Sequence, residues 1–161
     1  MMNTYFVQKP KMTLAGVSIR TTNETEMGPD EGLSRLWETY FQSNIAGQTG
    51  TANPEYIYAL YTDYESDATG AYTVVIGHEV DGESQIDNSN LVYASVPESK
   101  YMVFTTKKGP VFEVVAQAWV EIWAYFEASA EVRTYTGDFE IYDSRNFDPA
   151  NTQVEIYIAI E

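Results

Sequence analysis

The sequence predicts an α+β fold built from two similar halves, each contributing a strand, a helix and two further strands to an antiparallel sheet. Three observations point there. Two stretches repeat apolar residues at helical spacing, five or more stretches alternate at strand spacing, and the order of these elements in the first half recurs in the second.

Tyr5 to Val7 and Thr13 to Arg20 read as strands, separated by a break at Lys9-Pro10-Lys11. Thr21 to Asp30 is polar and contains the Gly28-Pro29 stop, so it reads as a loop. Leu33, Leu36, Trp37, Tyr40 and Phe41 then fall on one helical face, with Asp30 and Glu31 suited to the helix start. This helix should run to about Asn44, short of Gly47. After a loop over Ala46 to Pro54, Tyr56 to Tyr61 and Tyr72 to Val80 form a hairpin around the polar turn Tyr64 to Gly70. Asp81 to Asn90 is acidic and lacks apolar periodicity, and reads as a linker.

Tyr101 to Thr106 opens the second half as a strand, and Lys107-Lys108-Gly109-Pro110 stops it. Val111 to Ala128 is a long helix with Val115, Trp119, Ile122, Trp123 and Phe126 as its apolar stripe. Phe139 to Asp143 is a strand, Arg145 to Thr152 a turn-rich loop, and Val154 to Ile160 the closing strand. Leu36-Trp37 resembles Ile122-Trp123, and a Gly-Pro pair precedes each helix. Ala59-Leu60-Tyr61 resembles Glu140-Ile141-Tyr142. The chain is therefore expected to be one domain, with halves at about 1–80 and 91–161 paired across a pseudo-twofold axis. The crevice between them is the natural place for a ligand.

Composition narrows the function. There are 24 acidic residues against 9 Lys plus Arg, a net charge of −15. That field repels phosphate backbones, so direct nucleic-acid binding is not expected. With no cysteine and one histidine, there is no basis for a thiolate or multi-histidine metal site. His78, alone near a strand end, reads as a surface residue. There is no Gly-rich phosphate loop and no nucleophile elbow, and no cofactor is expected. No apolar run approaches membrane-spanning length, and the first residues lack a signal peptide's pattern, so a cytoplasmic address is the expectation. The 13 tyrosines beside three tryptophans direct attention to an aromatic-lined site.

The strands carry a resemblance. Asp138-Phe139-Glu140-Ile141-Tyr142-Asp143, the loop with Asp148-Pro149, and Val154-Glu155-Ile156-Tyr157-Ile158-Ala159-Ile160 resemble the closing hairpin of the GyrI-like effector-binding family. Tyr58 to Tyr64 with Ala71 to Gly77 resembles the first-half hairpin. The family includes drug-binding domains attached to AraC-type and MerR-type transcription regulators, and stand-alone copies such as integron-borne cassette modules. The resemblance implies a groove for amphipathic cations, with a buried glutamate meeting the positive charge. The chain shows no helix-turn-helix stretch, so a direct DNA-binding role is not expected, and the protein partners that stay open are a separate DNA-binding protein and a second copy of the chain.

Alternation along the last strand places Val154, Ile156, Ile158 and Ile160 on one face and Glu155 and Tyr157 on the other. With the resemblance, Glu155 is the expected anionic contact, flanked by Tyr142, Tyr61, Tyr157 and Trp123, with Trp37, Phe41 and Tyr72 as further lining. A carboxylate among rings suits a cationic, partly apolar small molecule. Two other functions stay open: a hydrolase of small toxic compounds using a groove glutamate and tyrosine, and an acidic module that meets a basic protein.

Overall fold

The computed structural model describes residues 3–22, 32–43, 55–65, 70–80, 92–143, 148 and 150–161. The loops expected within 23–30 and 46–54, the linker at 81–90 and part of the 145–152 loop lie outside the described residues.

Alternating apolar residues build eight strands: β1 (Asn3–Lys9), β2 (Met12–Thr21), β3 (Tyr56–Thr62), β4 (Tyr72–Val80), β5 (Val92–Val96), β6 (Ser99–Thr105), β7 (Asp138–Asp143) and β8 (Glu155–Ile160). Two helices accompany them among the described residues, α1 (Gly32–Ser43) and α2 (Val111–Ala128). The architecture is the expected α+β class. Pro10 ends β1 as anticipated, and Pro110, which cannot continue the preceding strand's ladder, sits at the N-cap of α2. Its carbonyl accepts the first helical bond, from Val114 at 3.0 Å.

All strands join one antiparallel sheet in the order β1-β6-β8-β7-β3-β4-β2-β5. The order is symmetric about the central β3–β7 pair, with β2, β3 and β4 matching β6, β7 and β8. Each half thus holds the expected strand-helix-strand-strand module. Both edge strands are exchanged, however: β1 pairs with β6 of the second module, from Asn3↔Thr105 to Lys9↔Ser99, and β5 pairs with β2 of the first. Strand β5 is an addition to the sequence reading. Its five residues alternate weakly and lie at the sheet edge, where partial exposure blurs the pattern.

Period-two alternation gives the sheet two buried faces. One carries Val17, Ile57, Ala59, Val74, Ile76, Met102, Phe104, Tyr142, Ile156, Ile158 and Ile160, covered by Leu36 and Tyr40 of α1 and by Val111, Ala118 and Ile122 of α2. The aliphatic row of β8 lies under the helices as expected. Within α2 the buried line is Val111, Val114, Ala118 and Ile122, with Val115, Trp119 and Phe126 flanking it half-buried. The expected stripe is thus centred about one position too far round, which leaves Trp119 and Trp123 at its margin. The opposite face holds Leu14, Tyr58, Leu60, Val75, Tyr101, Val103, Phe139 and Tyr157. Between β2 and β4, Gly16 and Gly77 face each other so closely that a Cβ on either would strike the other strand's backbone.

His78 is 0 % exposed, which corrects its reading as a surface residue. Its position on β4 continues the helix-facing row Val74, Ile76, His78, and its Nε2 lies 2.5 Å from the Tyr40 hydroxyl. Burial pushes the imidazole below its ordinary value, so it is held neutral.

Candidate functional site

At the centre of the helix-covered face a carboxylate is buried among aromatic side chains. Glu140, in the middle of β7, is 1 % exposed. Its cross-strand neighbours are Ala59 on β3 and Ile156 on β8. Ala59 is the smallest residue that this row offers, so little side-chain volume stands beside the carboxylate on that side.

Three donors converge on Glu140. The Tyr142 hydroxyl donates to Oε1 at 2.5 Å, the Tyr61 hydroxyl to Oε2 at 2.9 Å, and the Trp119 indole N–H to Oε2 at 2.6 Å. Strand alternation explains two of them. Tyr142 follows Glu140 by two residues on one face, and Tyr61 follows Ala59 by two on the neighbouring strand. Trp119 descends from α2. Burial pushes the Glu140 carboxyl above its ordinary range, and the three hydrogen bonds pull back against that shift. Burial likewise pushes the Tyr61 and Tyr142 phenols well above their usual value, with the nearby Glu140 charge adding to it. Both hydroxyls therefore stay protonated and donate to the carboxylate.

The rings continue outward from this centre. Trp37 of α1 meets Tyr142 edge-on at 5.1 Å, and Tyr61 meets Trp119 at 5.2 Å. Trp123 lies 6.3 Å from Trp119, Tyr72 lies 5.7 Å from Tyr61, and Phe41 lies 5.9 Å from Trp37. Phe41 is 67 % exposed and marks the outer limit. All three tryptophans of the chain therefore belong to one aromatic cluster, shared by the two helices and grounded on Glu140.

The structure brings together six of the eight residues expected from sequence: Tyr61, Tyr142, Trp37, Trp123, Tyr72 and Phe41. Glu155 and Tyr157 lie on the opposite face of the sheet. There the Tyr5 hydroxyl donates to Glu155 Oε2 at 2.5 Å, and Tyr157 stacks on Phe139 at 4.7 Å beneath the Lys9 ammonium. Alternation had separated Glu155 from the aliphatic row correctly. The helices and the tyrosines, however, are on the aliphatic side. Glu140 and Trp119, at the centre of this candidate site, are not among the residues expected from sequence. The available signal was the shared face of Glu140 and Tyr142, and the need of a half-buried indole N–H for an acceptor.

Among the described residues no group of three or more His, Asp and Glu is placed to hold a metal, and no helix is long and apolar enough to cross a membrane. The centre has a single ionisable carboxylate, donors fixed around it and flat apolar faces beyond. Such an arrangement complements a positive charge carried on an apolar frame.

Comparison with known proteins agrees with the architecture. The chain is 36 % identical over 150 residues to YobU of Bacillus subtilis (strain 168), a candidate transcriptional regulator, covering 91 % of each chain. It is 32 % identical to the integron cassette protein VCH_CASS2 from the mobile metagenome of Vibrio cholerae, with a TM-score of 0.75 over 98 % of this chain and 95 % of that one. The fold is also that of SAV2435, solved bound to tetraphenylphosphonium, with a TM-score of 0.79 at 21 % identity over 99 % of this chain and 94 % of that one. The sequence pattern of the integron-associated effector binding proteins, Cass2, runs through residues 6–160, from β1 to the last residue of β8, and the chain belongs to that family.

Proposed function

We propose that this chain binds a cationic, partly apolar small molecule on the helix-covered face of its sheet, with Glu140 as the anionic contact. The observation that carries this reading is the buried carboxylate held by Tyr61, Tyr142 and Trp119 with no positively charged side chain hydrogen-bonded to it among the described residues. A buried carboxylate without a counterion is costly, and three donors offset only part of that cost. A ligand cation supplies the missing charge, and Trp37, Trp119, Trp123 and Tyr72 supply cation–π contact and area. Tetraphenylphosphonium, held by the same fold in SAV2435, is itself an aromatic cation, which agrees with this reading.

The test is titration with 1-methyl-4-phenylpyridinium against its neutral isostere 4-methylbiphenyl. Because all three tryptophans lie at the site, saturable quenching of their fluorescence by the cation, and much weaker quenching by the neutral compound, is the expected result. Equal response to both would refute the electrostatic reading.

A further inference from the structure

A second carboxylate stands on the same face of β7, and the protein has already given it a cation. Asp138 precedes Glu140 by two residues, so the two Cα atoms are about 6.5–7 Å apart along the strand. Asp138 is fully buried, and the Arg133 guanidinium meets its Oδ2 at 2.6 Å. Tyr64 donates to the same oxygen at 2.6 Å, and the Ala159 backbone N–H donates to Oδ1 at 2.8 Å. The guanidinium lies 4.5 Å from the Tyr135 ring centre, 5.9 Å from that of Phe126 and 6.0 Å from that of Tyr64. Tyr135 holds its ring there from a left-handed backbone conformation, φ 56°, which is uncommon for a tyrosine. Arg133 is therefore an internal cation seated on a carboxylate in an aromatic box.

The two boxes adjoin. The Tyr72 ring lies 5.7 Å from Tyr61, which bonds Glu140, and 5.9 Å from Tyr64, which bonds Asp138. Together they form one aromatic floor with two acids, of which one is neutralised from within. A ligand on Glu140 that carried a second positive group towards Asp138 would meet the Arg133 guanidinium and no free acid. In a partly dry environment that second group would lose its water and meet a pair with no net charge, so nothing offsets the cost of burying it.

We propose that Arg133 determines the charge of the ligand, occupying the second half of a two-acid site so that only singly charged aromatic cations are accepted. This rests on Glu140 being the ligand's anionic contact. It assigns a specificity role to a residue that lies outside that contact, in the segment between α2 and β7.

Two probes of matched shape test it by calorimetry at 150 mM salt: 1-methyl-4-(4-methylphenyl)pyridinium, with one charge, and 1,1′-dimethyl-4,4′-bipyridinium, with two separated along the same rod. The wild-type chain should prefer the monocation by roughly tenfold or more, against the direction of its own net charge of −15. Arg133→Gln frees Asp138 and should reverse that preference. Arg133→Gln with Asp138→Asn removes both charges, leaves Glu140 the single acid, and should restore it. A wild-type chain that binds the dication as tightly as the monocation would overturn the proposal, even if the single variant does not fold. So would a folded Arg133→Gln chain whose ratio of affinities matched the wild type's. Glu140→Gln separates the two claims. Retained monocation binding in that variant would sink the Glu140 site itself, whereas lost binding together with an unchanged ratio in Arg133→Gln would sink only the role of Arg133.

Discussion

Glu140→Gln should make the protein more stable and less able to bind cations, and those opposite signs are its signature. The amide matches the carboxylate in shape. Its oxygen can keep the bonds from Trp119 and Tyr61, while its NH2 turns to the Tyr142 hydroxyl, which can rotate to accept. The exchange takes from the Tyr142 O–H its acceptor, at a cost of about 1–3 kcal/mol, but it relieves the larger cost of a buried charge with no counterion, several kcal/mol. Burial raises the folded-state value of Glu140 above the ordinary 4.5, so the folded protein holds its proton more tightly than the unfolded chain does. Ionising Glu140 therefore costs stability, and that cost grows as pH rises from about 4.5 through the raised folded value. At pH 7 the variant should unfold at higher denaturant than the wild type, and the gap should close at or below pH 4.5. The charge-assisted contact to a ligand is worth about 1.5–3 kcal/mol, which predicts roughly a ten- to hundredfold loss of cation affinity at pH 7. Urea denaturation at two pH values and fluorescence titration with 1-methyl-4-phenylpyridinium measure both effects. A variant less stable at pH 7 with unchanged cation affinity would show that Glu140 is a structural acid and would refute the reasoning.

Three further outcomes follow from the same geometry. Glu155→Gln should change cation affinity by less than about twofold, since Glu155 lies across the sheet from the aromatic cluster and bonds Tyr5; a tenfold loss by titration would move the site to that face. Ala59→Leu adds volume directly beside Glu140 and should weaken the cation and its neutral isostere alike, with an overpacking cost of about 1–3 kcal/mol in denaturation; a loss confined to the cation would show that volume is not what Ala59 provides. Tyr40→Phe removes the hydroxyl from buried His78 and should destabilise by about 1–3 kcal/mol, read by denaturant midpoint, with no effect below about 0.5 kcal/mol expected. In the wild type, burial lowers the folded value of His78, so stability it contributes is present above about 6.5 and declines as pH falls through that value.

The fold was legible because its signals are periodic. Leu36 and Tyr40 of α1, and Ala118 and Ile122 of α2, recur at helical spacing, and β4 is a nine-residue run rich in β-branched residues, so the elements follow from local chemistry. The candidate site was partly legible for the same reason: alternation places residues on faces, and the two tyrosines related by the repeat converge, though on Glu140 and not on the expected Glu155. What alternation cannot supply is which face the helices cover near a given strand. The polar spacing of β8 made Glu155 look free of the core, and it is. The buried carboxylate instead lies within an apolar row, on β7, where a charged residue reads as an exposed strand position until its three donors are seen. The Arg133–Asp138 pair was invisible for a different reason, since four residues of irregular chain lie between the partners and no periodicity spans them.

The exchange of edge strands bears on how the molecule must assemble. Asn3 pairs with Thr105, and Met12 pairs with Val96, so each sheet edge is completed by chain from far along the sequence. Contacts of such separation carry a large loop-closure cost before they return any stabilisation, which slows folding relative to a chain of local hairpins. During synthesis β2 would lack its outer neighbour until residues 92–96 had emerged, and β6 would be completed by a strand made long before it. Neither module closes its own sheet. A gene fragment encoding only the first module would yield a chain with an unpaired β2 edge, prone to recruit a strand from another copy. The two modules, alike as they are in plan, are thereby tied to each other, and the aromatic cluster around Glu140, to which both contribute, is formed only when both are present.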